Sequence, residues 1–192
     1  IARAASTAEL CRAVAQAIQF GTRVLVERAV EDRLEVQCAV LGNHDLVVSE
    51  CEELLGAGGI VSFEDKYLRR AERPEEADLA PSHIPARIPE DLARQVKELA
   101  IGAFRTLDAR GISRVDFLVD RPSMRPYVNE VNTLPGSLCL RLWEFSGVKP
   151  VELIRRLLTL AVEAHAEKAA TRFESEEGRA VVDKKHLMSP RK

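Results

Sequence analysis

A chain of 192 residues, 46% hydrophobic and 30% charged, can bury a core but holds no more than one ordinary domain or two small lobes. Its 28 Lys and Arg stand against 30 Asp and Glu, a formal net charge of −2, so there is no basic excess for a nucleic-acid backbone and nucleic acid is not expected as a partner. The longest apolar run, around Leu153 to Val162, is interrupted by Arg155 and Arg156, which argues against a membrane span.

Ser6-Thr7-Ala8-Glu9 has the form of a capping box, and Leu10, Cys11, Val14, Ala17 and Ile18 follow at helical spacing until Gly21. Three β-branched runs come next, VLVERAV (24–30), LEVQCAVLG (34–42) and LVVSE (46–50), which read as antiparallel strands. After a glycine-containing loop, IVSF (60–63) is a short strand leading into EDKYLRR. The stretch ERPEEADLAPSHIPARIP (72–89) holds four prolines and reads as a surface connection between two halves. Pro89 and Glu90 open a helix with the apolar stripe Leu92, Val96, Leu99, Ala103, Phe104 and Leu107. Two strands, ISRVDFLVD and PYVNEVN, are joined by the turn RPSMRP; a short helix follows in SLCLRLWEFSG, and another starts at Pro150 with Leu153, Ile154, Leu157, Leu158 and Ala161. Residues 171–192 read as a charged, disordered tail. Cys11, Cys38, Cys51 and Cys139 lack C-x-x-C or ligand spacing, so free thiols in a reducing cytoplasm are expected.

The chemistry concentrates in the last hairpin. Alternation puts Arg114, Asp116 and Leu118 on one face of the first strand, and Val128, Glu130 and Asn132 on one face of the second. A hairpin centred on Ser123 sets Arg114 opposite Asn132 and Asp116 opposite Glu130. Carboxylates facing each other across strands repel, and a divalent cation answers that repulsion. Asp, Glu and an Asn carbonyl are hard oxygen donors suited to magnesium, and Arg114 is placed to hold a phosphoryl group. Asn129, on the opposite side of the pleat, receives no metal role.

RVDFLVD followed by YVNEVNTLPG resembles the magnesium-binding hairpin of the ATP-grasp ligases, specifically of the D-alanine–D-alanine ligase family, and the likeness extends from Ile1 to about Ala166. It implies an α+β ATP-grasp fold of two antiparallel lobes with packed helices: 1–64 as part of the central lobe and 65–170 as the C-terminal lobe. VLVERAVEDRLEVQCAVLGN resembles the family's nucleotide strand and hairpin, which implies Glu27 at the adenine amino group, the backbone of Arg28 and Val30 as further adenine partners, and Glu35 at the ribose hydroxyls. FEDKY resembles Y-E-A-K-Y and implies Lys66 at the nucleotide phosphates, with Tyr67 beside it. On the hairpin the resemblance implies Asp116, Glu130 and Asn132 as ligands of Mg2+ or Mn2+, Arg114 as the catalytic arginine and the Gly136 backbone N–H at the tetrahedral intermediate.

The implied reaction moves the γ-phosphoryl of ATP to a carboxylate and then joins an amine to it, in peptidoglycan precursor synthesis, with ATP and small amino acids as substrates. The sequence departs from the family after Pro135-Gly136: SLCLRLWEF puts Ser137 and Leu138 early and Arg141 about where a carboxylate-binding serine is expected. Arginine grips carboxylates bidentately, so Ser137, Leu138 and Arg141 are the acceptor-side candidates, and a different amine or hydroxy-acid acceptor stays open. The family's N-terminal substrate domain and phosphate-covering loop lie before the matching region. The resemblance therefore implies a C-terminal portion of a longer protein, with that domain and a second copy as partners and little turnover alone. A nucleotide- and magnesium-binding module without ligase turnover, and a metal-dependent hydrolase, stay open on the residues themselves.

Overall fold

A computed structural model describes residues 1–55 and 81–171. Helix α1 (Thr7–Ala17) starts where its cap dictates: the Ser6 Oγ accepts from the Glu9 N–H at 3.3 Å, and the Glu9 carboxylate accepts from the Ala5 N–H at 2.7 Å. It ends before Gly21 and buries no residue. The strands are β1 (Arg33–Gly42), β2 (Val47–Val48), β3 (Glu52–Leu54), β4 (Ser82–His83), β5 (Gly111–Asp120) and β6 (Arg125–Asn132). Between β4 and β5 runs α2 (Glu90–Thr106); after β6 come a 3-10 turn (Gly136–Cys139), α3 (Leu140–Phe145) and α4 (Pro150–Ala170).

These strands form a single antiparallel sheet in the order β4-β3-β1-β5-β6, with β2 also on β1. β1 pairs with β5 from Arg33↔Asp120 to Gly42↔Gly111. The expected division at 64/65 therefore does not separate two sheets, because the longest ladder joins a strand from each side of it. Part of the proline-rich connection is likewise a strand, since Ser82 and His83 pair with Leu54 and Glu53.

Alternation divides the sheet into two unlike faces. On one, Leu34, Val36, Cys38 and Val40 of β1 and Val115, Phe117 and Val119 of β5 form an apolar layer. Helix α2 lays Leu92, Val96, Ala100 and Phe104 on it, every fourth residue. Leu99 and Leu107, expected in that stripe, are exposed, and Leu107 is the C-cap, past the last residue of the helix. The other face carries a second core at one end only, where Ala39, Leu41 and Ile112 meet Cys139, Leu142, Trp143 and Leu153 from the last helices. In α4 only Leu153 of the expected stripe is fully buried; Leu157 packs at the margin, and Ile154 and Leu158 face outward.

VLVERAV is no strand. Its β-branched residues have the propensity, but a strand needs a ladder, and among the described residues nothing pairs with it; Leu25 and Val26 lie exposed. One glycine is demanded by geometry. Gly42 ends β1 at φ 140°, and a Cβ there would stand 2.1 Å from the Asp45 carbonyl oxygen. Backbone cannot yield as a flexible side chain does, so Gly42→Ala is expected to lower stability by more than about 2 kcal/mol, read as a shifted denaturation midpoint.

Candidate active site on the β5–β6 hairpin

The half of the second face that the last helices leave uncovered is polar. There Arg114 pairs with Asn132 and Asp116 with Glu130, the register expected from the sequence. Beyond Asp116 the register shifts by one, with Phe117 opposite Val128 and Leu118 opposite Tyr127. Asn129 is thus the extra residue of a β-bulge, outside the ladder. The bulge corrects one face assignment: Tyr127, opposite Leu118, shares the face of Glu130 and Asn132, and Val128 does not. The buried Pro126 is tolerated because β6 is an edge strand among the described residues, where no N–H is owed to a further neighbour.

Two carboxylates opposite each other are answered here by a side chain. Arg114 donates from Nε to Asp116 Oδ1 at 2.6 Å and from Nη2 to Oδ2 at 2.7 Å, and the same Nη2 lies 4.0 Å from Glu130 Oε1. The arginine sits two residues before the aspartate on one strand, so the pleat brings the two together without any loop. Hydrogen bonding to Asp116 raises the Arg114 pKa above its ordinary value, against the opposing pull of burial. Repulsion between the two carboxylates therefore does not by itself require a cation. What suits a cation is the donor set: the Asp116 carboxylate at 20% exposure, the Glu130 carboxylate at 48%, and the Asn132 Oδ1, which also accepts from the Leu134 N–H at 3.1 Å and so anchors the following turn. Two carboxylates and a carbonyl, with water and phosphate oxygens filling the remaining positions, fit magnesium. Among the described residues no group of three or more His, Cys, Asp and Glu side chains does so.

The row continues across the sheet. Gln37 of β1 lies opposite Asp116 on one side and Glu52 of β3 on the other, and its Nε2 donates to Glu52 Oε2 at 2.6 Å. Arg141 of α3 reaches the same carboxylate at 3.5 Å and donates to Ser82 Oγ at 3.0 Å. Gln37, Glu52 and Ser82 were not among the residues expected from the sequence. A signal existed: Gln37 follows Glu35 by two and so shares its face, but locating Glu52 needed the β1–β3 register.

After Pro135 the backbone turns in an uncommon way. Ser137, Leu138 and Cys139 have φ of 51°, 51° and 55°, three consecutive non-glycine residues in the left-handed region. Each costs about 1–2 kcal/mol in isolation, so the packing of Cys139 and Leu138 against the second core must hold them. Gly136 and Ser137 are exposed at the mouth of this turn. Burial pushes the Cys139 thiol up to about 12, which makes it an inert packing group.

The remaining expected residues divide. Glu35 lies on the polar face, two residues along β1 from Gln37, and accepts from Arg33 Nε at 3.1 Å. Glu27 and Arg28 are exposed in the unpaired segment before β1, and the Val30 carbonyl accepts from Arg33 Nη1 at 3.3 Å. The structure thus brings Glu35 to the hairpin's face and leaves Glu27, Arg28 and Val30 off the sheet. Lys66, Tyr67, the IVSF strand and residues 172–192 lie outside the described residues. Trp143 is core, as expected, and of the four free cysteines only Cys11 is exposed. No described helix is long and apolar enough to cross a membrane.

An antiparallel sheet with helices on both faces and a carboxylate-bearing edge hairpin defines the class. Residues 1–159 match the family described as D-ala D-ala ligase C-terminus, and the chain belongs to that family. It is 35% identical over 180 residues to a D-alanine–D-alanine ligase of Caldicellulosiruptor bescii, covering 92% of this chain and 47% of the relative. It is 41% identical over 170 residues to that of Chlorobium luteolum, covering 86% and 45%. Among solved structures, the D-alanine-D-alanine ligase of Coxiella burnetii matches with a TM-score of 0.69 at 27% identity, over 88% of this chain and 42% of that one. The VanG D-Ala:D-Ser ligase of Enterococcus faecalis matches at 0.63 and 29% identity, over 81% and 43%. The α+β ATP-grasp expectation is borne out by these neighbours, and the chain spans about half the length of the curated relatives it matches.

Proposed function

We propose that this chain is the C-terminal ATP-grasp portion of an ATP-dependent carboxylate–amine ligase acting on D-alanine in peptidoglycan precursor synthesis. The observation that carries the reading is the edge hairpin, where Asp116 and Glu130 face each other beside Arg114 and Asn132 in a chain of this family. Asp116, Glu130 and Asn132 would hold Mg2+ or Mn2+, which supplies charge neutralisation for the phosphates of ATP.

Around that site the chain's own residues position and stabilise. Arg114 presents fixed positive charge where the transferring phosphoryl group gains negative charge. A carboxylate oxygen of the first amino acid attacks the γ-phosphorus and the bond to ADP breaks, leaving an acyl phosphate. The amine of the second attacks the carbonyl carbon, the oxyanion is met by the Gly136 N–H, and phosphate departs as the amide forms and the nitrogen loses its proton. Glu35 takes the ribose hydroxyls, Glu27 with the backbone of Arg28 and Val30 the adenine, and Lys66 the phosphates. The exposure of residues 25–29 supports a segment that completes its pairing with other parts of the protein. Ser137, Leu138 and Arg141 form the acceptor side. The partners are ATP, the amino acids, an N-terminal substrate-binding portion and a second copy of the chain, and such chemistry belongs in the cytoplasm, where ATP is supplied.

The test joins this chain to the N-terminal half of the Chlorobium luteolum relative and measures ADP release with D-alanine, then with D-serine and D-lactate as acceptors. D-alanine-dependent ADP release with an amide or ester product is expected. ADP release without either product would sink the ligase reading and leave a nucleotide-binding module.

A further inference from the structure

Arg141 does not stand by itself on the polar face. It is 48% exposed, yet its Nη1 is drawn toward Glu52, whose side chain is only 9% exposed, and bonds Ser82. Glu52 is held from behind by Gln37, the residue that also lies opposite Asp116. A buried carboxylate paired with a half-exposed cation is a poor stabilising device, because the desolvation falls on the acid while solvent screens the attraction. The arrangement is well suited to orientation. Among the described residues only Nη1 of the fork is engaged. The Nε and Nη2 hydrogens, the edge that grips a carboxylate with two parallel bonds, are left for a ligand.

We propose that Glu52 is a positioning residue that sets the Arg141 fork to receive the carboxylate of the acceptor. The assignment rests on the ligase reading. Through Gln37, the same strand position that faces the metal-site aspartate fixes the acceptor-side cation, which ties the two ends of the reaction to one cross-strand row.

In the joined protein, E52Q and R141K are each expected to raise the KM for the second amino acid by about tenfold, with the KM for ATP unchanged within about twofold. D-alaninamide, which lacks the carboxylate, is expected to be a poor acceptor for the parent and to discriminate little between parent and R141K. The charge exchange E52R/R141E is expected to recover the melting temperature lost in either single reversal but not the acceptor KM. Recovery of that KM by the exchange, or equal shifts in both KM values for E52Q, would overturn the proposal.

A readout without turnover uses the 192-residue chain with magnesium and ADP. The Arg141 side-chain 15Nε–Hε signal is expected to move on adding D-alanine and to stay still with D-alaninamide, and in E52Q to need about tenfold more D-alanine for the same movement. An Arg141 signal indifferent to D-alanine overturns this inference whatever the joined protein catalyses. A responsive signal in a protein that makes no amide or ester overturns the ligase reading instead.

Discussion

Glu130→Gln is expected to weaken magnesium-dependent nucleotide binding by at least about 100-fold, since at the proposed metal site it would replace an anionic oxygen donor by a neutral amide. The same substitution should leave folding stability within about 0.5 kcal/mol, because Glu130 is half-exposed on an edge strand and its removal as an anion relieves a like charge across the ladder. Arg114 keeps its two bonds to Asp116 in the variant, so the hairpin retains its internal ion pair. Titration calorimetry of ADP with and without magnesium, beside a thermal melt, separates the two effects. Glu98→Gln, an exposed acid on α2, is the control. Equal losses in the two variants would mean the metal site lies elsewhere.

Trp143→Ala is expected to cost about 3–5 kcal/mol, the range for deleting a fully buried aromatic side chain. Trp143 is fully buried and packs α3 onto Ala39, Leu41 and Ile112. The cost reaches the site, because the same cluster holds Cys139, the last of the three left-handed residues. Without the indole, the turn loses the packing that offsets its backbone strain, and Cys139 should become reactive to thiol reagents well before global unfolding. Trp143→Phe is expected to lose only about 1–2 kcal/mol, since it opens a smaller cavity and removes an indole N–H that has no hydrogen-bond partner among the described residues. Chemical denaturation and Cys139 labelling rates test both. An unchanged labelling rate in the alanine variant would show that the turn is held by something other than this core.

Much of the candidate site was legible because it is local. Arg114 and Asp116 are two residues apart on one strand, Glu130 and Asn132 two apart on the next, and a tight hairpin leaves few registers; Arg114↔Asn132 and Asp116↔Glu130 follow. The bulge at Asn129 was not legible. It changes the face of Tyr127 and Val128 without altering the pattern of residue types, since both are good strand formers. The segment VLVERAV failed for a related reason: strand propensity is a statement about a side chain on a pleated surface, and whether a neighbouring strand exists is decided elsewhere.

The sequence by itself determined Leu92, Val96 and Phe104 of the α2 stripe, the capped start of α1, the β5–β6 hairpin and the family-specific motif upon it, because each is a periodic or short-range pattern in the chain. Only the tertiary structure decided that β1 and β5 share one sheet across the expected boundary, and that Gln37, opposite Asp116, meets Glu52, which Arg141 joins to Ser82 on the same polar face. Pairing between distant strands depends on which faces can be buried together, and a side chain such as Glu52 acquires its role only from the neighbours that this burial brings within reach.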